Sequence, residues 1–486
     1  MKHLLATKPF EQLHAEHAAS KLKRALGPWQ LTFLGVGATI GTGIFVLTGL
    51  EAAQHAGPAI VLSFVLAGIA CVFAGLCYAE FASMVPLAGS AYTYSYATLG
   101  EFAAWFIGWD LLLEYMFAAG TVAVGWSRYF VKFLEQYHMN FLPAALTSAP
   151  FATGPDGLSL VKTGAIINLP AVFIASLAGA ICYVGIRQSS FVNSLIVALK
   201  VSVIIAVIAF GAFYIDSANW QPFVPPNTGE WGNFGPSGIL RAAAVIFFAY
   251  IGFDAVSTAA QEARNPQRDL PFGIMMGLGI CTLLYILMSA VLTGLLPYPQ
   301  LNDAAPVAVA LEAHAGLRWL SAFVVPGAIF GLTSVILVMI LGQSRILLAM
   351  ARDGLLPPAF AGVHERFRTP HVATAFTATF AALIGGLFPI GLLAELVSIG
   401  TLLAFVMVSV SVLVLRYTRP GLHRPFRVPL PWFTCLAGAG FSGWLMISLP
   451  ADTWVRLVVW ALIGVGVYFF YGRHHSRLRA TAHESP

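Results

Sequence analysis

Hydrophobic positions along this chain form long, nearly uninterrupted stretches, not the spaced stripes typical of helices in soluble proteins. Twelve stretches approach the roughly 20 mainly apolar residues with which an α-helix crosses a bilayer. They are too long and too continuously apolar to be the alternating strands of a membrane barrel. The pattern therefore predicts an all-α integral membrane protein with twelve transmembrane helices, here called spans 1 to 12, at residues 29–50, 58–81, 102–127, 165–185, 191–214, 237–259, 272–296, 319–349, 371–388, 392–415, 429–449 and 454–471.

Composition supports a membrane protein and excludes several other classes. Of 486 residues, 58% are hydrophobic and only 10% are charged, whereas about a quarter of a soluble domain is charged. The net charge of +5 is small, so we expect no nucleic-acid partner. The five cysteines all lie in apolar stretches without metal-ligand spacing, so we expect no disulfide framework, no metal site and no cofactor.

The distribution of basic residues predicts the orientation of the chain. An even number of spans places both termini on one side, and 19 of the 26 Lys and Arg residues lie on that side. Because cytoplasmic loops are enriched in basic residues, both termini are predicted to be cytoplasmic. We expect a multi-pass protein of the inner (plasma) membrane, without a cleaved signal peptide, since no small-residue cleavage site follows the first span.

Glycines predict interruptions in spans 1 and 6. Gly41 and Gly43 flank Thr42 at roughly 18–21 Å from the start of span 1, near the middle of the membrane. Gly252 of span 6 lies at a similar depth. Glycine weakens a helix, and backbone groups freed at this depth are tolerated only where they line a cavity. Close helix packing is the alternative explanation. Interruptions at corresponding places in two halves point to a transporter-type binding site.

One Lys or Arg residue, Lys200, lies deep within a predicted span, whereas the others lie in loops or near span ends. At roughly 14 Å from the start of span 5, its amine reaches the membrane surface with difficulty. Desolvation favours the neutral amine, so Lys200 is a candidate proton carrier. The alternative is a structural lysine that pairs with backbone carbonyls.

Carboxylates in the spans are further candidates. Asp110 and Glu114 are four residues apart in span 3 and share a helix face. The deeper Glu114 could line the cavity and receive a cationic or ammonium group, whereas Asp110 is predicted to lie nearer the cytoplasm. Gating or structural pairs are predicted for the carboxylates near span ends or breaks, which are Glu80, Asp254, Glu262 and Glu395.

Several segments together resemble a known family. In chain order they are Gly35–Val46, Val85–Tyr92, Phe247–Asp254 with Asn265–Pro271, Glu395–Leu402 and Arg424–Pro429. In these segments the chain is similar to bacterial members of the cationic amino acid transporter family, within the amino acid–polyamine–organocation superfamily.

The resemblance implies a leucine-transporter-type fold, in which two five-helix repeats are inverted and spans 1 and 6 are broken at mid-membrane. It divides the chain into a cytoplasmic N-terminal segment, a first repeat, an external loop, a second repeat, spans 11 and 12, and a cytoplasmic tail, at residues 1–28, 29–214, 215–236, 237–415, 416–471 and 472–486 respectively.

The resemblance also implies the residues of a substrate site. The substrate carboxylate would bind backbone amides around Gly41, Thr42 and Gly43, because free N–H groups at a helix start suit an anion. The substrate ammonium would bind carbonyls of both broken spans, at Ile40, Phe248, Ala249 and Ile251.

The same resemblance implies proton coupling without sodium, because Lys200 matches a lysine that stands where sodium-driven relatives hold the ion. Thr333 and Ser334 of span 8 are candidate neighbours of this amine. If Met339 faces the cavity, it would shorten the side-chain pocket and favour small neutral amino acids such as alanine. A packing role is the alternative for this methionine.

The sequence thus favours a proton-coupled amino-acid permease that imports its substrate by alternating access, with no enzymatic chemistry. An amino-acid exchanger or a cationic amino-acid or polyamine carrier of the same fold remains an alternative. A membrane amino-acid sensor is an alternative of another class. A small membrane-protein subunit and bound lipid are left open.

Overall fold

The computed structural model describes residues 6–9, 26–85, 89–139, 141–154, 159–185 and 190–479, except for the side chains at 190–193 and 261. Parts of the predicted terminal segments 1–28 and 472–486, and residues 86–88 of the Val85–Tyr92 motif, lie outside these ranges.

The described residues are mostly helical. We number the α-helices in chain order as α1 to α17. Their bounds are Pro28–Thr39, Thr48–Glu51, Ile60–Met84, Ser90–Thr98, Glu101–Gln136, Leu169–Val184, Ser190–Gly211, Gly235–Ile246, Ala255–Thr258, Pro266–Leu295, Pro306–Glu312, Arg318–Arg352, His371–Leu387, Ile390–Thr418, Pro431–Ile447, Ala451–Val467 and Arg473–His475.

Each of the twelve predicted stretches contains helix. Within the described residues, eight helical runs are long and apolar enough to cross a membrane, and two shorter apolar helices are Leu169–Val184 and His371–Leu387. One run, Gly43–Met84, joins the second half of span 1 to span 2. These helices support a multi-pass membrane protein. The count of twelve crossings and the inverted repeat remain predictions.

Some elements were not predicted from hydrophobicity. The stretch between spans 3 and 4 contains the end of α5, which continues to Gln136, and the paired strands β1 (Phe151–Thr153) and β2 (Leu160–Lys162). The short helices α4 and α11 lie between spans. All are too polar or too short to give a membrane-span signal.

Two groups of helices pack around the breaks. In one group α3 packs against α8 and α10, and α10 also packs against α1. In the other group α5 packs against α12, α13 and α14. Helix α1 also contacts α7, and it contacts α12 of the second group, so α1 lies between the two groups.

Candidate substrate site at the helix breaks

Span 1 is interrupted where its glycine pair predicts. Helix α1 ends at Thr39, and Ile40 has an extended backbone with φ −71° and ψ 101°. Helical structure resumes in a π-helical turn at Gly43–Leu47. Because the first N–H groups of a helical run have no partner within the run, the resumption at Gly43 provides donors suited to an anion.

Span 6 is interrupted in the same region. After α8 a 3-10 turn covers Phe247–Tyr250, and Ile251 is extended. Gly252 has a φ of +114°, a conformation that suits glycine and few other residues. A Cβ at this position would lie 2.8 Å from the carbonyl carbon and oxygen of Ala38. Gly252 therefore allows the break of span 6 to pack directly on the end of α1.

The two breaks meet at a second glycine. A Cβ added at Gly43 would lie 2.3 Å from the Cβ of Ala249 and 2.4 Å from its Cα. The predicted site residues of the two spans are thus brought together, and all are buried, namely Ile40, Gly41, Thr42, Gly43, Phe248, Ala249 and Ile251. Their binding roles remain predictions.

Lys200 closes the end of α1. Its Nζ donates hydrogen bonds to the carbonyl oxygens of Gly37, at 2.7 Å, and Ile40, at 3.1 Å. Both carbonyls lie at the C-terminal end of α1, where a helix leaves its last carbonyls without partners and carries partial negative charge. Lys200 thus pairs with backbone carbonyls, as expected for the structural alternative in the sequence analysis. The same contact also joins its amine to the predicted substrate site.

Tyr285 of α10 binds both breaks. Its hydroxyl lies 3.0 Å from the carbonyl oxygen of Thr39 and 2.7 Å from that of Ala249. A hydroxyl has one proton to donate, so it can serve the two carbonyls in turn. The sequence did not single out Tyr285, because one tyrosine in an apolar helix carries no signal for its partner.

The predicted neighbours of Lys200 make hydrogen bonds within α12 and to span 3. The Thr333 hydroxyl donates to the Ile329 carbonyl and accepts from Trp126 Nε1 at 3.0 Å. The Ser334 hydroxyl donates to the Gly331 carbonyl at 2.8 Å. Gly331 of α12 lies against the lysine stem, since an added Cβ there would lie 2.7 Å from Lys200 Cδ.

Met339 shares a helix face with residues that contact the site. A Cβ at Gly41 would touch Val335 at 3.4 Å, and a Cβ at Gly342 would approach the Tyr115 ring at 2.8 Å. Positions 335, 339 and 342 lie on one side of α12 by helical periodicity. Since Met339 is only 1% exposed, it packs inside the protein, and its role in selectivity remains a prediction.

Span 3 forms another wall of the site. A Cβ at Gly125 would lie 2.6 Å from both the Oγ1 and the Cγ2 of Thr42, so this glycine makes room for the threonine. One turn further, the Tyr129 hydroxyl donates to the Phe45 carbonyl at 2.8 Å. Helix α5 therefore holds the resumed half of span 1 by direct backbone and side-chain contact.

The predicted carboxylates are buried in the same core. Asp110 is 3% exposed and Glu114 is 1% exposed. Asp254, predicted to form a gating or structural pair, accepts a hydrogen bond of 2.5 Å from the Tyr115 hydroxyl and one of 3.4 Å from Ser90. Asp254 thus joins the start of α9 to span 3 and to α4, and the sequence did not reveal Tyr115 as its partner.

Comparison with known proteins agrees with this architecture. The family model described as amino acid permease matches residues 26–469. The chain is 46% identical to the methylthioribose transporter of Bacillus subtilis (strain 168) over 478 residues, which are 98% of this chain and 100% of the relative. It is 48% identical to the branched-chain amino acid permease BcaP of the same organism over 474 residues, 97% and 98% of the two chains.

A plant relative links the chain to cationic amino acid transporters. Cationic amino acid transporter 3, mitochondrial, of Arabidopsis thaliana is 38% identical over 435 residues, 89% of this chain and 68% of the relative. The resemblance seen in the sequence motifs is therefore confirmed. The chain belongs to the amino acid permease family and is a transporter, not an enzyme.

Proposed function

We propose that this protein is a proton-coupled symporter that imports a neutral amino acid by alternating access. The observation that carries the proposal is the Lys200 amine on the Gly37 and Ile40 carbonyls. The Lys200 amine contacts the carbonyl of Ile40, which is also predicted to bind the substrate ammonium. The proton on Lys200 and the substrate would therefore both act on the break of span 1.

The coupling follows from electrostatics. A protonated Lys200 is attracted by the partial negative charge at the C-terminal end of α1, and its hydrogen bonds to carbonyls are charge-assisted. Loss of the proton weakens both bonds. Protonation therefore favours the position of α1 in which the break is closed around Lys200, and deprotonation favours its release.

The substrate bridges the two breaks. Its carboxylate binds N–H groups at Thr42 and Gly43, and its ammonium binds carbonyls of Ile40, Phe248, Ala249 and Ile251. Glu114 lines the cavity.

Spans 1 and 6 hinge about their breaks in a twelve-span, five-plus-five inverted repeat, with both termini cytoplasmic. Support comes from the direct packing of Gly43 on Ala249, because a movement of one break then displaces the other.

The side-chain pocket favours a small neutral amino acid such as alanine. Support comes from Met339, which is buried on the α12 face that carries Val335 beside Gly41. Names of relatives extend the candidates to branched-chain amino acids and methylthioribose. Branched-chain amino acids carry the carboxylate and ammonium that the two breaks bind, whereas methylthioribose carries neither and would use only the uncharged side-chain pocket.

The test is uptake of labelled alanine into liposomes that contain the purified protein, with and without an inward proton gradient. Unlabelled valine, leucine, arginine and methylthioribose compete in parallel, and Lys200→Met is compared with Lys162→Met. The control removes the same charge from an exposed hairpin residue. We expect gradient-driven accumulation without sodium, and its loss in Lys200→Met alone.

Other outcomes contradict parts of the proposal. Uptake that needs sodium would refute proton coupling through Lys200. Uptake only into vesicles preloaded with another amino acid would indicate an exchanger. Strong competition by arginine would refute the neutral pocket. Binding of amino acids without any flux would favour a sensor.

A further inference from the structure

Two short terminal segments meet on the same face of the molecule. Residues 6–9 and residues 473–479 are far apart in sequence, yet both contact the carboxylates or the backbone of Glu101 and Asp353. Glu101 begins α5 of span 3, and Asp353 directly follows α12 of span 8. The termini therefore join the ends of helices that wall the candidate substrate site.

Glu101 is the anchor of the C-terminal segment. Its side chain is fully buried, and Arg479 Nε and Nη2 each lie 3.0 Å from its Oε1. The Tyr468 hydroxyl donates to the same oxygen at 2.8 Å, and the Ser476 hydroxyl donates to the other. Removing Arg479 and Ser476 would leave this buried charge with only the Tyr468 and Tyr96 hydroxyls as partners, which is costly.

Asp353 accepts hydrogen bonds from both segments. Its carboxylate accepts from Lys8 Nζ at 3.0 Å and from the Tyr92 hydroxyl at 2.7 Å. Its backbone carbonyl accepts from the Arg477 N–H at 3.1 Å. The next residue, Gly354, has a φ of +83°, and a Cβ there would lie 2.2 Å from the His475 carbonyl oxygen. The C-terminal segment therefore packs directly on this turn.

The N-terminal segment is held by backbone hydrogen bonds as well. The Lys8 N–H donates to the Tyr96 carbonyl of α4 at 3.0 Å, and the Glu101 N–H donates to the Ala6 carbonyl at 3.0 Å. Residues 6–9 precede span 1 in the chain. These bonds join the segment to α4 and to the start of α5, the helix that walls the candidate site.

We propose that residues 473–479 form a clasp that keeps this face of the transporter closed. The clasp binds Glu101 and the turn at Asp353, and thereby holds the surface on which residues 6–9 lie. It acts as a built-in brake on opening towards the side of the termini. The inference rests on the proposed transport function, because it regulates access to the same site.

The experiment measures opening directly, in purified full-length protein in lipid nanodiscs. Ala260→Cys places a thiol at a fully buried position beside α9, and the five native cysteines are buried. The rate of labelling by a charged maleimide is compared in this background alone, with Arg479→Gln, with Lys8→Gln and with Arg473→Gln. Arg473 is an exposed residue of the same segment, so its variant controls for charge.

We expect labelling of Ala260→Cys to become about tenfold faster in Arg479→Gln, because a charge-assisted hydrogen bond to a buried carboxylate is lost. Arg473→Gln should leave the rate unchanged. Equal rates in Arg479→Gln and Arg473→Gln, or an increase confined to Lys8→Gln, would refute the clasp. Because labelling requires no transported substrate, a failure of the proton-symport proposal would not alter this result.

Discussion

At the scale of single residues, the end of α1 is organised around carbonyl oxygens that the break leaves without helical partners. Lys200 takes those of Gly37 and Ile40, and Tyr285 reaches that of Thr39. An unpaired backbone carbonyl deep in a membrane costs several kcal/mol. The side chains that satisfy these groups therefore stabilise the break and also fix its geometry.

Tyr285→Phe tests this reasoning. The substitution keeps the ring, which packs against Phe64 and Tyr250, but removes the hydroxyl that reaches both breaks. We expect substrate transport to fall about tenfold, since one hydrogen bond contributes about 1 kcal/mol and leaving a carbonyl unsatisfied adds to the loss. Initial uptake rates in liposomes measure the effect.

The matched control is Tyr137→Phe, which removes a hydroxyl from a residue that is 54% exposed at the end of α5. Its uptake should equal that of the unmodified protein. If both variants transport equally well, the Tyr285 hydroxyl has no role in positioning the breaks.

At the scale of elements, one buried carboxylate anchors the connection between α14 and α15. Glu80 of α3 is 1% exposed and accepts from Arg416 Nε at 3.1 Å and from the Val428 N–H at 2.8 Å. Arg424 Nε lies 3.3 Å from the same carboxylate. The sequence predicted a gating or structural pair at Glu80, and the structure shows Glu80 paired with two arginines.

Glu80→Gln should destabilise the fold without changing substrate preference. The variant leaves two arginines without their counter-charge, and breaking one member of a buried ion pair costs about 3 kcal/mol. We expect a lower temperature of denaturation in detergent. Glu135→Gln, at an exposed position of α5, is the control. A Glu80→Gln protein as stable as this control would show that the cluster contributes nothing to stability.

At the scale of the whole molecule, the basic residues divide unequally between the two faces, with 19 of the 26 on the face predicted for the termini. The structure places residues 6–9 and 473–479 on a common face, which agrees with an even number of crossings. The positive-inside rule predicts that this face is cytoplasmic.

Labelling of single cysteines tests the orientation. Lys162→Cys and His474→Cys both replace exposed residues and are predicted to lie on opposite sides. In intact cells, a membrane-impermeant maleimide should label Lys162→Cys, and it should label His474→Cys only after permeabilisation. The reverse pattern would invert the topology, and labelling of both in intact cells would refute the predicted arrangement.

The sequence by itself determined the membrane class, the family and the positions of the breaks. These depend on local properties: unbroken apolar length, short motifs and glycines that weaken a helix at one depth. Gly41, Gly43 and Gly252 could be read in this way because a glycine acts on its own backbone. Lys200 stood out because a charge in an apolar span is costly wherever it lies.

Only the tertiary structure decided which groups meet. The pairing of Lys200 with Gly37 and Ile40, and of Tyr285 with both breaks, joins residues more than 30 positions apart along the chain. Such contacts depend on how helices pack, which hydropathy does not encode. The contacts of Glu101 with the C-terminal segment were likewise invisible, because a buried carboxylate at a helix start has the same sequence signature as an exposed one.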